Sequence, residues 1–340
     1  MDSPLVTILM PVYNADFFLK RAMDSILEQT YSNIEFLIMN DGSTDNSLSI
    51  IKSYSDNRIV LIENEKNLGL IYSLNVGLKK AKGKYIARMD ADDVSHPTRI
   101  KKQLAFMESH NNVGVLGTFI QNEKKFKLYA NPKLTSNELK ARLIFTNVFS
   151  HPTILFRNSF LKEQNISYNA EFKHAEDYNL WLNTIPKTDF AILNESLLYY
   201  ENHQSQVSEI FNAEQKINVN KSHRQFFTSL NLNFSGAELE IHRRLFYQDY
   251  LYNKTFIAEL ENWLLKISES TSLQSLLTKE ALQKTTSVVW FEVCTHFASK
   301  KIKTHQRFYK SPLCNTKQLS FKSILLFNLK SILAFNSLPL

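Results

Sequence analysis

Tyr85-Ile86-Ala87-Arg88-Met89-Asp90-Ala91-Asp92-Asp93-Val94 puts three carboxylates into four positions, immediately after a short apolar, β-prone run. Carboxylates this close repel one another and do not all stay ionised in a dry site unless a cation sits among them; a divalent metal is the natural candidate. The carboxyl end of a strand is also where open α/β sheets place their ligands. A metal held there by one or two carboxylates completes its shell with water and with the phosphates of a substrate. The competing reading is a solvated acidic turn closing a strand, because Asp is common in turns for local hydrogen-bonding reasons.

Outward from this stretch, the first hundred residues alternate strand and helix. Val6–Met10, Ile34–Met39, Ile59–Ile62 and Tyr85–Ala87 are short apolar runs, and each of the first three precedes a stretch with helical spacing. Leu19, Ala22, Met23, Ile26 and Leu27 recur at three and four residues, as do Leu70, Leu74 and Leu78, which predicts helices covering a sheet. Asn40-Asp41-Gly42 ends the second strand with a residue suited to a sharp turn, and Ser43-Thr44-Asp45 offers a helix N-cap. Asp41 and Asp90 therefore belong to carboxyl ends of strands in one parallel sheet, and Tyr13, just after the first strand, joins that edge. A ring, a carboxylate and a metal-type cluster on one crevice suit a nucleotide diphosphate, with the ring on the base, the carboxylate on base or ribose and the metal on the diphosphate.

Pro11-Val12-Tyr13-Asn14, Asn40-Asp41-Gly42-Ser43-Thr44-Asp45, Asn67-Leu68-Gly69-Leu70 with Asn75 and Gly77, Asp90-Ala91-Asp92-Asp93, and His174-Ala175-Glu176-Asp177 with Trp181 together resemble glycosyltransferase family 2, in order and spacing, over about residues 4 to 208. Gly69-Leu70-Ile71-Tyr72-Ser73-Leu74-Asn75 and Tyr85-Ile86-Ala87-Arg88-Met89-Asp90 look closest to the bacterial lipopolysaccharide and lipooligosaccharide β-1,3-glycosyltransferases. The resemblance implies a GT-A fold, an α/β class with a Rossmann-like, mostly parallel sheet flanked by helices. It also implies a UDP-sugar donor, with UDP-Gal, UDP-GlcNAc and UDP-GalNAc as candidates, and an oligosaccharide or lipid-linked glycan acceptor. Carried over residue by residue, it has Tyr13 stacking on uracil, Asp41 binding the uracil edge, Asn67 lining the nucleotide site, Asp90 holding the ribose, and Asp92 ligating Mn²⁺ or Mg²⁺. Asp177 becomes the general base that deprotonates the acceptor hydroxyl, giving inversion. An alcohol is a poor nucleophile at neutral pH, and positioned proton transfer is worth roughly 10² to 10⁴ in rate.

Several of these positions carry a plainer reading alongside. Glu176 and Asp177, followed by Tyr178, Leu180, Trp181 and Leu182, also look like the first turn of an ordinary helix, where carboxylates favour the positive end of the dipole. Arg88 and Lys84 either contact phosphate or solvate a strand end. Tyr200-Glu201-Asn202-His203-Gln204-Ser205-Gln206-Val207-Ser208 resembles a family segment in which the His reaches the metal or diphosphate, so His203 is a candidate ligand or an exposed loop histidine. Glu201 stands where relatives carry Arg, which puts that local diphosphate contact in doubt. It also motivates an alternative: a membrane-associated UDP-sugar-binding assembly subunit without turnover. A teichoic-acid or capsule transferase is the other enzyme reading. His151–Arg157 looks like an acceptor-side strand or an ordinary one, and Gln121–Asn147 carries few signals.

The chain divides by pattern into a catalytic region, 1–210, and an α-helical C-terminal appendage, 211–340. Residues 211 to 292 lack Pro, carry Gly only at 236, and space Leu245, Tyr252, Phe256, Leu260, Trp263 and Leu264 as a helical core. Cys294 and Cys314 form neither a metal motif nor a disulfide framework, which suits a reducing cytosol. No signal peptide and no apolar run of membrane-spanning length is expected. The net charge of +7 is unevenly placed. Residues 293 to 340 hold no Asp or Glu but eight cations, Lys300, Lys301, Lys303, Arg307, Lys310, Lys317, Lys322 and Lys330. Removing these eight from the 40 basic residues leaves 32 against 33 acidic ones. Phe321, Ile324, Leu325, Leu329, Ile332 and Phe335 fall on one helical arc of this tail. It reads either as an amphipathic segment on the anionic inner face of the cytoplasmic membrane or as a basic helix docked on the protein's own body. Nucleic acid is not expected, since no recognised binding module accompanies the charge.

Overall fold

The computed structural model describes residues 3–121, 134–201, 211–299 and 304–336. Contacts divide the chain into two compact units: Met1–Ser136 with Val148–Ser222, and Asn137–Asn147 with His223–Leu340.

The first unit is built on one eight-stranded sheet in the order β3-β2-β1-β4-β7-β6-β8-β5. Its strands are β1 Val6–Val12, β2 Ile34–Asn40, β3 Ile59–Glu63, β4 Tyr85–Arg88, β5 Val94–Ser95, β6 Val113–Gln121, β7 Leu155–Arg157 and β8 Asp189–Tyr199. The four strands expected from the sequence are present, and β1 pairs in parallel with both β2 and β4 while β2 pairs in parallel with β3. The far half is mixed: β7 runs antiparallel to β4 and β6, β5 antiparallel to β8, and β6 parallel to β8. The sheet is thus of the α/β kind flanked by helices, as expected. β7 is a three-residue strand after a 3-10 turn at His151–Thr153, so only part of the His151–Arg157 run is strand.

All seven residues of β1 and of β2 are buried, which explains runs apolar on both faces. Helix α1, Asp16–Leu27, turns Leu19, Ala22, Met23 and Ile26 inward. Each large apolar side chain so buried is worth about 1.5–3 kcal/mol. Helix α3, Leu70–Lys80, buries Leu74 and Leu78 but leaves Leu70, at its first turn, exposed. Helix α2, Ser47–Lys52, begins later than Ser43-Thr44-Asp45 suggests: its N-cap position is Asn46, and the Asp45 carboxylate takes the Ser47 N–H at 2.9 Å from just outside the helix. The remaining helices of this unit are α4 Arg99–Ser109, α6 Asn158–Glu163 and α7 Glu176–Thr184, with α5, Ser136–Leu143, lying between α4 and α6 in the chain.

The second unit is helical. Its core joins Phe227, Leu239, Leu245, Phe256, Leu260, Trp263 and Leu264, borne by α8 Asn212–Ser229, α9 Gly236–Tyr247 and α10 Lys254–Glu269. Tyr252, expected in that core, is 52% exposed because it precedes α10, whose N-cap is Asn253. The unit also takes in residues 137–147, from the stretch with few sequence signals. There Arg142 forms a two-pronged ion pair with Glu292, at 2.8 and 2.7 Å, on α12, Lys279–Ser299. Helices α11 Thr271–Leu276, α13 His305–Lys310 and α14 Phe321–Asn336 complete it. Among the described residues no helix is long and apolar enough to cross a membrane.

Candidate active site

The carboxyl ends of β1, β2 and β4 converge because these strands are parallel neighbours, and the loops that leave them are tied to one another. After β1, Asn14 takes a left-handed φ of 48°; its backbone N–H donates to Ser43 Oγ at 3.1 Å and its side-chain oxygen accepts the Thr44 N–H at 2.9 Å. After β2, Gly42 adopts φ 66°, and a Cβ there would lie 2.4 Å from the Lys66 carbonyl carbon. The glycine therefore lets the 64–69 loop close against this turn. Tyr13 stands on this edge 47% exposed, its ring available to a flat ligand.

Asp41 is nearly fully buried. Its Oδ1 accepts from Asn64 Nδ2 at 2.7 Å and from the Leu68 N–H at 3.0 Å, and its Oδ2 accepts from the Gly69 N–H at 2.8 Å. Asn67 is exposed, and its side-chain oxygen also accepts from Gly69 N–H, at 2.9 Å. Most of Asp41's accepting capacity is thus spent on holding the Asn67-Leu68-Gly69 turn. Asn75, farther along α3, binds the Tyr168 backbone at both groups, each at 2.9 Å. Tyr168 in turn hydrogen-bonds His151 Nε2 at 2.7 Å. Burial, and behind it the charge of Arg88, holds that histidine neutral.

At the end of β4, Asp90, Asp92 and Asp93 have ligand oxygens within 4.8 Å of one another. Asp93 is almost fully buried; its Oδ1 accepts the Glu201 N–H at 3.1 Å and its Oδ2 is buried without a hydrogen-bond partner. Burial, with Asp90 and Asp92 beside it, pushes its carboxyl up to about 9. Burial likewise raises Asp90, against the opposing charge of Arg88 with which it forms an ion pair. Such a cluster, with an orphaned buried oxygen and too little positive charge for three carboxylates, fits a hard divalent cation and its oxygen donor set. Arg88 itself is buried, so it neither solvates the strand end nor stands free for phosphate; it underlies Asp90. Lys84 pairs with Glu108 at 2.8 Å, the plainer of its two readings.

Asp177 and Glu176 open helix α7, and Asp177 Oδ1 accepts the Tyr178 N–H at 2.6 Å. The negative charge of Asp177 adds, as the smallest of the causes, to the rise at Asp90. Glu176 is buried, and burial together with Asp177 raises its carboxyl to about 7. Trp181 packs at the core against Phe156 and Phe149, at ring separations of 5.8 and 5.5 Å. His203 lies outside the described residues.

Sequence reasoning missed the residues that carry the site on their backs. Arg99 is fully buried and donates to the Arg88 carbonyl at 2.7 Å. Tyr200, whose hydroxyl burial and the three aspartates keep protonated, stands beside the cluster. Arg21 of α1 binds Glu201 at 3.1 Å. Asn64 and Arg21 leave no local motif, and only the fold brings them to Asp41 and Glu201; an Arg at the start of α4, shortly after the acids, was the one readable hint.

Residues 7–173 match the model of the family described as Glycosyl transferase family 2. An uncharacterized glycosyltransferase of Haemophilus influenzae is 33% identical over 254 residues, covering 71% of this chain and 78% of that protein. The Escherichia coli protein WfaP, named as a UDP-Glc:α-D-GlcNAc-diphosphoundecaprenol β-1,3-glucosyltransferase, is 34% identical over 219 residues, 60% of this chain and 80% of its own. Among solved structures, residues 1–349 of S. aureus TarS in complex with UDP-GlcNAc share the fold, with a TM-score of 0.60 and 19% identity over 90% of this chain and 92% of that one. Of a longer TarS chain the present one spans 52%.

Proposed function

The chain belongs to glycosyltransferase family 2, and from that premise we propose that it is a metal-dependent, inverting transferase. It moves a hexose or N-acetylhexosamine from a UDP-sugar to a hydroxyl of a bacterial surface glycan, by β-1,3 linkage, in lipopolysaccharide, lipooligosaccharide or capsule synthesis. The observation that carries this reading is the acid cluster Asp90, Asp92 and Asp93 at the end of β4, with ligand oxygens within 4.8 Å of one another. The likeness to WfaP supports the linkage and a lipid-linked acceptor. On this reading the chain works as a peripheral protein at the inner face of the cytoplasmic membrane.

In this mechanism the Tyr13 ring stacks on uracil, the Asp41-held turn with Asn67 frames the base and ribose, and Asp90, anchored by Arg88, takes the ribose hydroxyls. Asp92 would hold Mn²⁺ or Mg²⁺, and the ion would supply neutralisation of the charge on the departing diphosphate. Asp177 accepts the proton of the acceptor hydroxyl as that oxygen attacks the anomeric carbon from the face opposite UDP. A carboxylate positioned beside the acceptor hydroxyl serves as the general base for that proton. The alternative of a binding subunit without turnover rests on Glu201, and its pairing with Arg21 supplies a local cation that removes much of the electrostatic motive.

The test is a donor screen with Mn²⁺ over UDP-Gal, UDP-GlcNAc, UDP-GalNAc and UDP-Glc. UDP release from one of them, lost in EDTA and restored by the metal, supports the transferase. Full activity in chelator overturns the metal assignment, and tight UDP binding without release under any acceptor favours the subunit.

A further inference from the structure

Helix α14 answers both readings of the basic tail at once. Phe327 is fully buried, with its ring 5.4 Å from Phe291 and 5.3 Å from Phe308, and Ser331, one turn on, is buried as well. His305 stacks on Phe327, and its Nε2 meets Asn328 Oδ1 at 3.0 Å. The helix is therefore keyed to its own unit along one side. Residues advance about 100° around a helix, so Leu325 and Leu329, two positions either way from Phe327, stand roughly opposite that side. They are 47% and 44% exposed; Leu326 is 47% exposed and Phe321, one turn before Leu325, is 82% exposed. A docked helix normally turns its apolar residues inward and charge outward. This one is apolar on both sides.

The charges beside the outer stripe suggest what covers it. Lys322 and Lys330 flank Leu326 at four-residue spacing, and Lys310, Lys317, Lys322 and Lys330 have no ion-pair partner among the described residues. Arg307, by contrast, is neutralised by Glu261 at 2.6 Å. No Asp or Glu occurs from 293 to 340. A second copy laid on the same stripe would bring lysine against lysine with no acid from this tail to separate them. A helix unable to cross a bilayer, with an exposed Phe and Leu stripe and unneutralised lysines within it and at its edge, has the makings of an interfacial helix lying flat on anionic lipid.

We propose that the outer stripe of α14, Phe321, Leu325, Leu326 and Leu329 with Lys322 and Lys330, is the surface by which this chain lies on an anionic membrane, while Phe327 fixes the helix to the protein. The membrane's relevance rests on the lipid-linked acceptor proposed above, but binding needs neither substrate nor turnover. The two ideas therefore fail separately.

The experiment is co-sedimentation of the full chain with vesicles of phosphatidylcholine alone or with phosphatidylglycerol, alongside thermal melting and UDP release with a soluble acceptor. Leu325→Ser with Leu329→Ser should weaken partitioning into the anionic vesicles at least tenfold, and Lys322→Gln and Lys330→Gln about fivefold each, with unchanged melting and unchanged soluble-acceptor turnover. Phe327→Ala should lower the melting temperature. Equal binding to neutral and anionic vesicles, wild-type binding by the double Ser variant, or a concentration-dependent dimer that the double Ser variant abolishes would each overturn the proposal. Absence of UDP release alongside lysine- and leucine-dependent vesicle binding would sink the transferase reading and leave the membrane face standing.

Discussion

The acid edge of the sheet and the aromatic centre of the helical unit both bury polar groups, and they treat them in opposite ways. In the helical unit, His242 uses both ring nitrogens: Nε2 donates to the Ile144 carbonyl at 2.8 Å, and Nδ1 accepts from Trp263 Nε1 at 3.0 Å. At the sheet edge, Asp93 has one oxygen bonded and the other buried without a partner, among two more carboxylates. A saturated neutral group stabilises a fold, whereas an undersatisfied charged one costs stability unless something outside the chain completes it. Asp41 shows that the distinction runs inside the site too, since its three donors all come from the protein.

The sharpest way to break this comparison is to remove charge from the undersatisfied side. Asp177→Asn should cut transfer by roughly 10² or more while UDP affinity, read by calorimetry, stays near wild type, because the proton acceptor matters only as the transition state is approached. Transfer at close to the wild-type rate would move the base elsewhere. Asp92→Asn should abolish metal-dependent turnover yet leave the melting temperature unchanged or raised, since it relieves repulsion among the acids. A marked loss of stability would make Asp92 structural instead.

On the saturated side, stability should move first. Protonating His242 sets a second N–H against that of Trp263, and burial holds its pKa at about 4, below the ordinary 6.5. His223 is displaced in the same direction by burial and by His242. Because the folded values lie below the unfolded one, their stability is fully present above about pH 6.5 and is lost as pH falls towards 4. For His242 this amounts to roughly 3 kcal/mol. Asp93 and Glu176, raised by burial, change stability in the opposite direction over this window, so denaturant unfolding at pH 7 and pH 4.5 is compared between the wild type and His242→Gln, and an identical pH dependence in the two would refute the assignment. Asp41→Ala should cost about 2–3 kcal/mol by taking the acceptor from the Leu68 N–H and one of two acceptors each from Asn64 and Gly69, and should raise KM for the donor as the turn loosens. Glu176→Gln should be the mildest change, lowering transfer several-fold without affecting UDP binding.

Much of the first unit was legible because its signals are local. β1 to β4 are apolar runs, α1 and α3 declare their buried faces by spacing, and Gly42 marks a turn that needs φ of 66°. Residues 113–121 are a β-prone run, but their pairing at long range with β7 and β8 is not written in their own pattern. The same holds for residues 137–147, which belong with the helical unit through the distant partner Glu292.

By itself, then, the sequence determined the alternation of strand and helix, the presence of an acid cluster at a strand end, the helical character of the C-terminal region and the one-sided charge of its tail. These follow from periodicity, composition and spacing, which act between near neighbours. Only the tertiary structure decided that Asp41 is spent on its neighbours' amides, that Arg88 lies beneath Asp90, that Glu201 is met by Arg21 and that Phe327 rather than Leu325 faces inward. Each of those outcomes depends on which of several competing partners comes within hydrogen-bonding or van der Waals reach, and that is set by packing between residues far apart in the chain.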